Sequence, residues 1–244
     1  MKYFWNSQDD IPEGKGYKLF SLLHIIWILI SIGLISFIVL FYKNSDINTK
    51  ALISKTIALI ILITEIIKLI VIVKTNNNIM KHLPLEVCSF AGYTIILDAL
   101  FNIHFFNDML PILYMPAAFC ALILPTTSNL PFFNYHTIHQ FVFHSLIVGY
   151  ILAKYVCGEY NVTYLSLWSA VIKMMIISMP IYISNNKFKT NNMFMRDPYG
   201  NSLFQMIWDK TGGNKKYVNG IITFAILGMH IFFVLIKLIE LIFS

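Results

Sequence analysis

Residues 19–42 read LFSLLHIIWILISIGLISFIVLFY, a long run without a single charged side chain. A helix rises about 1.5 Å per residue, so roughly 20 apolar residues cross a bilayer core that is about 30 Å thick. The run therefore predicts a membrane-spanning helix. The polar first 18 residues lack the basic segment and short apolar core that open a cleavable signal peptide, so we expect this span to be retained.

The composition of the whole chain agrees with a lipid environment. Of its 244 residues, 57% are hydrophobic and only 12% are charged, and the mean hydropathy is +0.69. This apolar content exceeds what a water-soluble surface can accommodate. The net charge of +6 and pI near 9.1 come from lysines in short loops between apolar runs, which is typical of topology signals. We therefore expect no nucleic acid partner.

The hydropathy pattern predicts an all-α fold, a polytopic membrane helix bundle with about seven transmembrane helices. The fourth segment is short and carries Pro111, Pro116 and Pro125, so it is expected to be kinked or re-entrant and packed inside the bundle. Six spans plus one irregular element is the alternative. The predicted segments are approximately 19–42, 52–73, 84–106, 109–124, 135–157, 162–184 and 217–243.

The loops predict the topology. Residues 1–18 form an N-terminal segment, and residues 19–244 form one bundle interrupted by a polar loop at 185–216, in which Leu203–Trp208 is expected to be amphipathic. The N-terminal segment and this loop, together with the other loops on their side, carry about twice as many Lys and Arg residues as the opposite side. Because positive residues favour the cytoplasm, we expect a cell-membrane protein with a cytoplasmic N-terminus and an extracytoplasmic C-terminus.

A cysteine near the start of the third span is a candidate nucleophile. Pro84 suits the first turn of a helix, which would place Cys88 about one turn inside. The positive end of a helix favours thiolate over thiol. Ala91 and Gly92 follow on the same face and leave space in which an acyl group could lie. The alternative is that Cys88 is simply a small buried apolar residue.

The fifth span begins NYHTIHQFVFH at residues 134–144, an unusual density of imidazoles for a membrane helix. His139 and Gln140 lie at a depth comparable to Cys88, His136 lies at the boundary, and His144 lies deeper. A neutral imidazole can take a proton from a thiol, so His139 is the candidate general base. His136 and His139 lack a third ligand nearby in sequence, so no metal site is expected.

The remaining cysteines and the charged residues of the second and third spans suggest further roles. The cysteines Cys88, Cys120 and Cys157 show no CxxC spacing, and glycine-rich nucleotide motifs are missing from the sequence, so neither a disulfide, nor zinc, nor another cofactor is expected. Glu65 and Lys68 are spaced to pair on the second span, or Glu65 could orient a histidine. Asp98, Asn102 and His104 cluster near the other end of the third span, as an outer cap or a second polar pocket.

Several short stretches carry a family resemblance. They are LPLEVC at 83–88, LPTTSNLPFF at 124–133, Tyr135–Gln140, NNM at 191–193 and DPYG at 197–200. In this order they resemble the YwaF-like family, which includes the eukaryotic transmembrane protein 164, over roughly residues 80–212. The resemblance implies a lipid acyltransferase in which Cys88 is the nucleophile and His139 is the base. It also implies that Asn192 and Asp197 belong to the family's polar loop.

The resulting hypothesis is an acyltransferase that moves an acyl chain from a membrane phospholipid, through a Cys88 thioester, to a lysolipid or lipoprotein acceptor. Lys187, Lys189 and Arg196 are expected to hold the headgroup. The substrate-binding set is completed by Asn192, Gln140, Asp197, His136 and His144. Two rivals remain: a transporter or ligand-binding protein with a histidine-lined cavity, and a lipid hydrolase that uses the same residues. The sequence carries no signal for an oligomeric state.

Overall fold

The helices follow the apolar segments closely. In the computed structural model, which describes residues 3–6, 11–12, 14–75, 83–198 and 201–243, every described regular element is helical. The α-helices are α1 (Leu22–Lys43), α2 (Ile47–Lys74), α3 (Val87–Phe101), α4 (Met115–Ile123), α5 (Tyr135–Val156), α6 (Tyr164–Phe188), α7 (Ser202–Thr211) and α8 (Asn214–Phe243). A π-helical turn at Leu110–Tyr114 continues into α4, and a 3₁₀ turn at Asn192–Phe194 precedes α7.

The helix lengths support a membrane bundle but do not confirm seven spans. Within the described ranges, four helices are long and apolar enough to cross a bilayer, namely α1, α2, α6 and α8. The helix α3 has 15 residues, which is about 22 Å and short of a bilayer core. It ends at Asn102, whose left-handed backbone (φ 54°) stops the helix before the predicted end at residue 106. Asn102 therefore terminates α3 and does not join the polar cluster predicted there.

The fourth segment is the irregular element that its prolines predict. Pro111 lacks an N–H group and lies in the π-helical turn, and Pro116 opens α4. All five residues of Leu110–Tyr114 are buried. The element is therefore packed inside the bundle, where neighbouring helices shield its irregular backbone from lipid.

The helix α5 lies at the centre of the bundle. It packs against α1, α2, α3 and α4, and most of its residues are buried. Its close contact with α1 depends on Gly149, where an added Cβ would lie 2.8 Å from Cδ1 of Ile38. The central position explains why α5 can carry histidines and a lysine, because polar side chains at membrane depth need the protein interior. In contrast, the long outer helices expose large apolar side chains such as Phe37, Leu52 and Ile176, as lipid-facing helices do.

A buried polar cluster ties α3 to α5 at the end of the bundle where α3 finishes. Asp98 is 2% exposed. One of its carboxylate oxygens accepts hydrogen bonds from Nδ1 of His104 and Nδ2 of Asn107, each at 2.6 Å. The other accepts from the Tyr150 hydroxyl and, at 2.8 Å, from Nζ of Lys154. These five residues are called the Asp98 cluster below. The predicted association of Asp98 with His104 is thus present, within a larger network.

The polar loop folds against the bundle. The helix α7 covers the predicted amphipathic piece and packs Ile207, with Phe204 and Trp208 beside it, against Tyr217 and Ile221 at the start of α8. The predicted boundary at residue 185 falls inside α6, which continues to Phe188. Residues 76–82 and 199–200, which include most of the predicted loop at 74–83 and the end of the DPYG stretch, lie outside the described residues.

Candidate functional site

The candidate nucleophile lies at the very start of α3. The helix begins at Val87, with Glu86 as its extended N-cap residue (ψ 157°), so Cys88 is the second helical residue and not one turn inside. Pro84 precedes the helix, because the chain makes a tight turn there in which the Leu85 N–H donates to the Leu83 carbonyl at 2.8 Å. Cys88 therefore lies within the first turn, which is where the helix dipole mainly acts. The Cys88 thiol is free and half-buried.

The small residues that follow Cys88 serve helix packing and do not leave open space. An added Cβ at Gly92 would lie 3.0 Å from Cγ2 of Ile61 and 3.3 Å from Cζ of Phe143, and Ala91 is fully buried. The prediction of open space for an acyl group beside residues 91 and 92 is therefore wrong. The contact instead sets the register of α3 against α5.

Counted along each helix from this contact, Cys88 and His139 are expected at about the same level. Gly92 contacts Phe143, Cys88 precedes Gly92 by four residues, and His139 precedes Phe143 by four residues. Four residues are about one helical turn, or about 6 Å, on both helices. Both helices approach the same part of α2: Gly92 of α3 faces Ile61, and the Tyr135 hydroxyl at the start of α5 donates to the Thr64 carbonyl at 3.2 Å.

A charged pair on α2 flanks the candidate base. Both carboxylate oxygens of Glu65 lie 2.8 Å from Nζ of Lys68, and one of them lies 3.5 Å from Nε2 of His139. The His139 side chain is only 10% exposed, and its ring stacks on Phe143 with centroids 5.0 Å apart. Of the two roles open to Glu65, the structure combines both: it pairs with Lys68 and faces the histidine.

The other polar side chains of α5 point to different partners. The Gln140 side chain donates from Nε2 to the Ala121 carbonyl of α4 at 3.0 Å. His144 is buried, and its Nδ1 donates to the Gln140 carbonyl at 2.5 Å, which leaves Nε2 as the ring acceptor. His136 lies in the first turn of α5, where Asn134 caps its N–H group. Gln140 therefore links α5 to α4 and has one amide hydrogen already committed.

The side-chain amide of Asn192 also donates hydrogen bonds within the protein, inside the polar loop. The loop is organised by Asn185, a fully buried residue of α6 whose Oδ1 accepts from the Thr190 hydroxyl and from the backbone and side-chain N–H groups of Asn192, at 2.8 to 3.1 Å. Asn185 also donates to the Asn192 carbonyl at 2.9 Å. Sequence reasoning missed Asn185; its only signal is an amide at the end of an apolar helix.

A backbone hydrogen bond joins the polar loop to the start of α3. The backbone N–H of Met193 donates to the Glu86 carboxylate at 2.8 Å, two residues before Cys88. The side chains of Arg196 and Asp197 are exposed, and the Asn191 side chain accepts from the backbone N–H groups of both. The polar loop therefore lies against the start of α3, with Arg196 and Asp197 at its surface.

The N-terminal segment lies at the same end of the bundle, as the loop charges predicted, but its close packing against α5 was not indicated by the sequence. The Asn134 side chain donates to the carbonyls of Tyr3 and Asn6 at 2.7 and 2.9 Å, and the Tyr135 N–H donates to the Phe4 carbonyl at 2.8 Å. The ring of Trp5 lies 5.3 Å from that of Tyr135. The described N-terminal residues are thus anchored to the first turn of α5, one turn from His139.

Replacing Asn185 with alanine is expected to loosen the polar loop without unfolding the bundle. The change leaves the Thr190 hydroxyl and two N–H groups of Asn192 without their acceptor, at a cost of about 1–3 kcal/mol for each buried group left unpaired. Hydrogen exchange should become faster at residues 190–195. Asn186→Ala, which alters the exposed neighbouring amide, should leave exchange unchanged. Equal exchange in both variants would contradict the role assigned to Asn185.

Comparison with known proteins places the chain in a family. Among the described residues, no group of three or more His, Cys, Asp or Glu side chains could hold a metal ion. No curated protein and no solved structure gives a significant match to the chain. A family model does match, over residues 19–239 and thus nearly the whole chain. The protein, a membrane protein with several apolar helices and its conspicuous cysteine at the start of α3, belongs to the TMEM164 family.

Proposed function

We propose that this protein is a lipid acyltransferase in which Cys88 carries the acyl chain and His139 moves the proton. The observation that carries the proposal is the register of α3 and α5, in which the Gly92–Phe143 contact lies one turn beyond both residues. The position of Cys88 at a helix N-terminus and the Glu65–His139 approach support it further. A nucleophile, a base beside it and a carboxylate that orients the base are the elements of covalent acyl transfer.

In the first step, the thiol proton passes to His139 and the Cys88 sulfur attacks the ester carbonyl carbon of a glycerophospholipid. Nε2 of His139 faces Glu65, so Nδ1 is the nitrogen that receives the proton. The tetrahedral intermediate then collapses, the bond from carbon to the glycerol oxygen breaks, and that oxygen leaves with the proton from His139. The products are a lysolipid and a thioester on Cys88.

In the second step, an acceptor hydroxyl or amine attacks the thioester carbonyl. His139 takes the acceptor proton and returns it to the Cys88 sulfur as the carbon–sulfur bond breaks, which restores the starting enzyme. A lysolipid or a lipoprotein amine would fit this chemistry. Both steps develop charge on the carbonyl oxygen, so a hydrogen-bond donor is required.

The backbone at the start of α3 is the best source of that donor. The first N–H groups of a helix have no carbonyl partner within the helix, and Cys88 is the second helical residue. The side-chain amides of Gln140 and Asn192 are weaker candidates because each already donates within the protein. Lys187, Lys189 and Arg196 are exposed and could attract the lipid phosphate. We further propose that this face is cytoplasmic.

The test is acyl transfer by purified protein in liposomes. The liposomes contain a phosphatidylcholine with an isotope-labelled acyl chain and a lysophosphatidylethanolamine acceptor, and products are identified by mass spectrometry. Labelled phosphatidylethanolamine is the expected product. Labelled free fatty acid alone would instead assign a hydrolase that uses the same residues. Recovery of all label in the donor, with folded protein present, would refute both activities.

A further inference from the structure

A cavity lined by charged and polar residues lies beside the Asp98 cluster, far from Cys88. It has a volume of about 420 Å³ and is lined by Asp98, His104, Asn107, Lys154, Glu159 and Tyr160, among others. Asp98 follows Cys88 by ten residues on α3, which is about 15 Å along the helix axis. By contrast, the cavity next to Val87 at the Cys88 end holds only about 20 Å³. The large cavity is thus separate from the proposed catalytic pair.

With His104 counted as neutral, the charges around this cavity leave one carboxylate in excess. Asp98 pairs with Lys154 at 2.8 Å, and Asp108 pairs with Lys173 at 2.8 Å. The third carboxylate, Glu159, lies 3.4 Å from the same Lys154 ammonium and has no cation of its own. One oxygen of Glu159 accepts from the Tyr42 hydroxyl at 2.7 Å. Its other oxygen is the one that faces Lys154, and the side chain is 35% exposed, so a ligand can approach the carboxylate from solvent.

Two buried oxygen atoms at the cavity lack a hydrogen-bond partner. They are Oδ1 of Asn107 and the hydroxyl of Tyr160. The orientation of the Asn107 amide is fixed, because its other terminal atom lies 2.6 Å from the Asp98 carboxylate, which can only accept, and must therefore be the NH₂ group. The unpartnered atom is consequently a carbonyl oxygen, an acceptor. Buried acceptors of this kind are costly unless a donor completes them.

We propose that this cavity binds a small organic ammonium group, with Glu159 supplying the charge and Asn107 and Tyr160 supplying further acceptors. An ammonium carries up to three donors and no acceptor, which matches an excess carboxylate beside two unpartnered oxygens. The cavity volume falls within the range of small-ligand sites, which is roughly 300–1,000 Å³. An amine in solution and the ethanolamine headgroup of a phospholipid share this chemistry.

An anion and a divalent metal ion fit the cavity less well. The Lys154 ammonium is already engaged by Asp98, Glu159 and the Tyr150 hydroxyl, so little of its charge is available for an anion. Each oxygen of Asp98 already accepts two hydrogen bonds, which leaves it a poor metal ligand. The cavity therefore favours a donor that bonds without displacing these contacts.

The test measures thermal unfolding of the purified chain in an uncharged maltoside detergent with increasing ethanolamine. Ethylene glycol, which replaces the ammonium with a hydroxyl, is the matched neutral probe. We expect a saturable rise in Tm with ethanolamine and none with ethylene glycol. Glu159→Gln keeps an oxygen that can accept from the Tyr42 hydroxyl. It should weaken the binding of ethanolamine at least about tenfold, because a charged hydrogen bond is lost. Tyr160→Phe should weaken the binding of ethanolamine by a smaller factor.

The control is Asp209→Asn, which removes an exposed carboxylate on α7 and should bind ethanolamine like the unaltered chain. Nanodiscs distinguish the two ligand sources: if added phosphatidylethanolamine lowers the apparent affinity for ethanolamine, the headgroup is the occupant, and if not, a soluble amine is. The proposal is overturned if no saturable shift occurs, if ethylene glycol shifts Tm equally, or if folded Glu159→Gln and Tyr160→Phe both bind unchanged. None of these outcomes depends on acyl transfer.

Discussion

Replacing Cys88 with alanine is expected to abolish acyl labelling of the protein. Unaltered protein incubated with a labelled phospholipid should acquire a label that hydroxylamine releases, because hydroxylamine cleaves thioesters. Without the Cys88 sulfur no thioester can form, so the label should fall to background and acyl transfer should fall with it. The reason for so large an effect is that the proposed route has a single covalent carrier, and removing a nucleophile removes the route.

The chain supplies matched controls for this prediction. Cys120 and Cys157 are also free thiols, and Cys120 is the most exposed of the three cysteines. Nonspecific acylation should therefore favour Cys120 over the half-buried Cys88. Cys120→Ala and Cys157→Ala should both retain the label. If the label persists in Cys88→Ala and disappears in Cys120→Ala, the acyl carrier is Cys120 of α4, and the proposal is contradicted.

Replacing Asp98 with leucine is expected to destabilise the bundle by about 3–5 kcal/mol, as the breaking of buried ion pairs does. The variant would leave the Lys154 ammonium without its closest counter-ion, and the Tyr150 hydroxyl and the Asn107 amide without their acceptor. The free energy of unfolding can be measured in mixed detergent micelles by titration with a denaturing detergent. The loss should appear as a lower midpoint of that titration.

Two further variants separate the buried charge from other effects. Asp46→Ala removes a fully exposed carboxylate that caps α2 through the N–H groups of Asn48 and Thr49, and should shift the midpoint much less. The double variant Asp98→Leu with Lys154→Met should recover part of the loss, because no buried ammonium is then left unpaired. An Asp98→Leu midpoint as high as that of Asp46→Ala would show that the Asp98 cluster contributes little.

The helices were predictable because each is determined locally. A run such as residues 19–42 must be helical in lipid, since a helix satisfies its own backbone hydrogen bonds wherever its neighbours lie. The kinked fourth segment was predictable for the same reason, because Pro111 removes a backbone donor whatever surrounds it. The early end of α3 at Asn102 was not, since the left-handed turn there depends on how the following loop returns to the bundle.

The candidate site was only partly predictable. Helix-end chemistry and the histidine density of the fifth span singled out Cys88 and His139, and both signals lie within single helices. The function of Gly92 was misjudged, because a small residue can leave space or admit a neighbour, and only the positions of Ile61 and Phe143 decide between the two. The hydrogen bonds made by the side-chain amides of Gln140 and Asn192 could not be predicted either, because their partners belong to other segments.

The sequence by itself determined that this protein is a helical membrane protein, where its apolar helices lie, and which polar residues they carry. The tertiary structure alone decided which residues meet. The contact between Gly92 and Phe143, the approach of Glu65 to His139, and the pairing of Asp98 with Lys154 all join different helices. The physical reason is that hydropathy and backbone hydrogen bonding act along one segment, whereas helix register is set by close packing between segments distant in sequence.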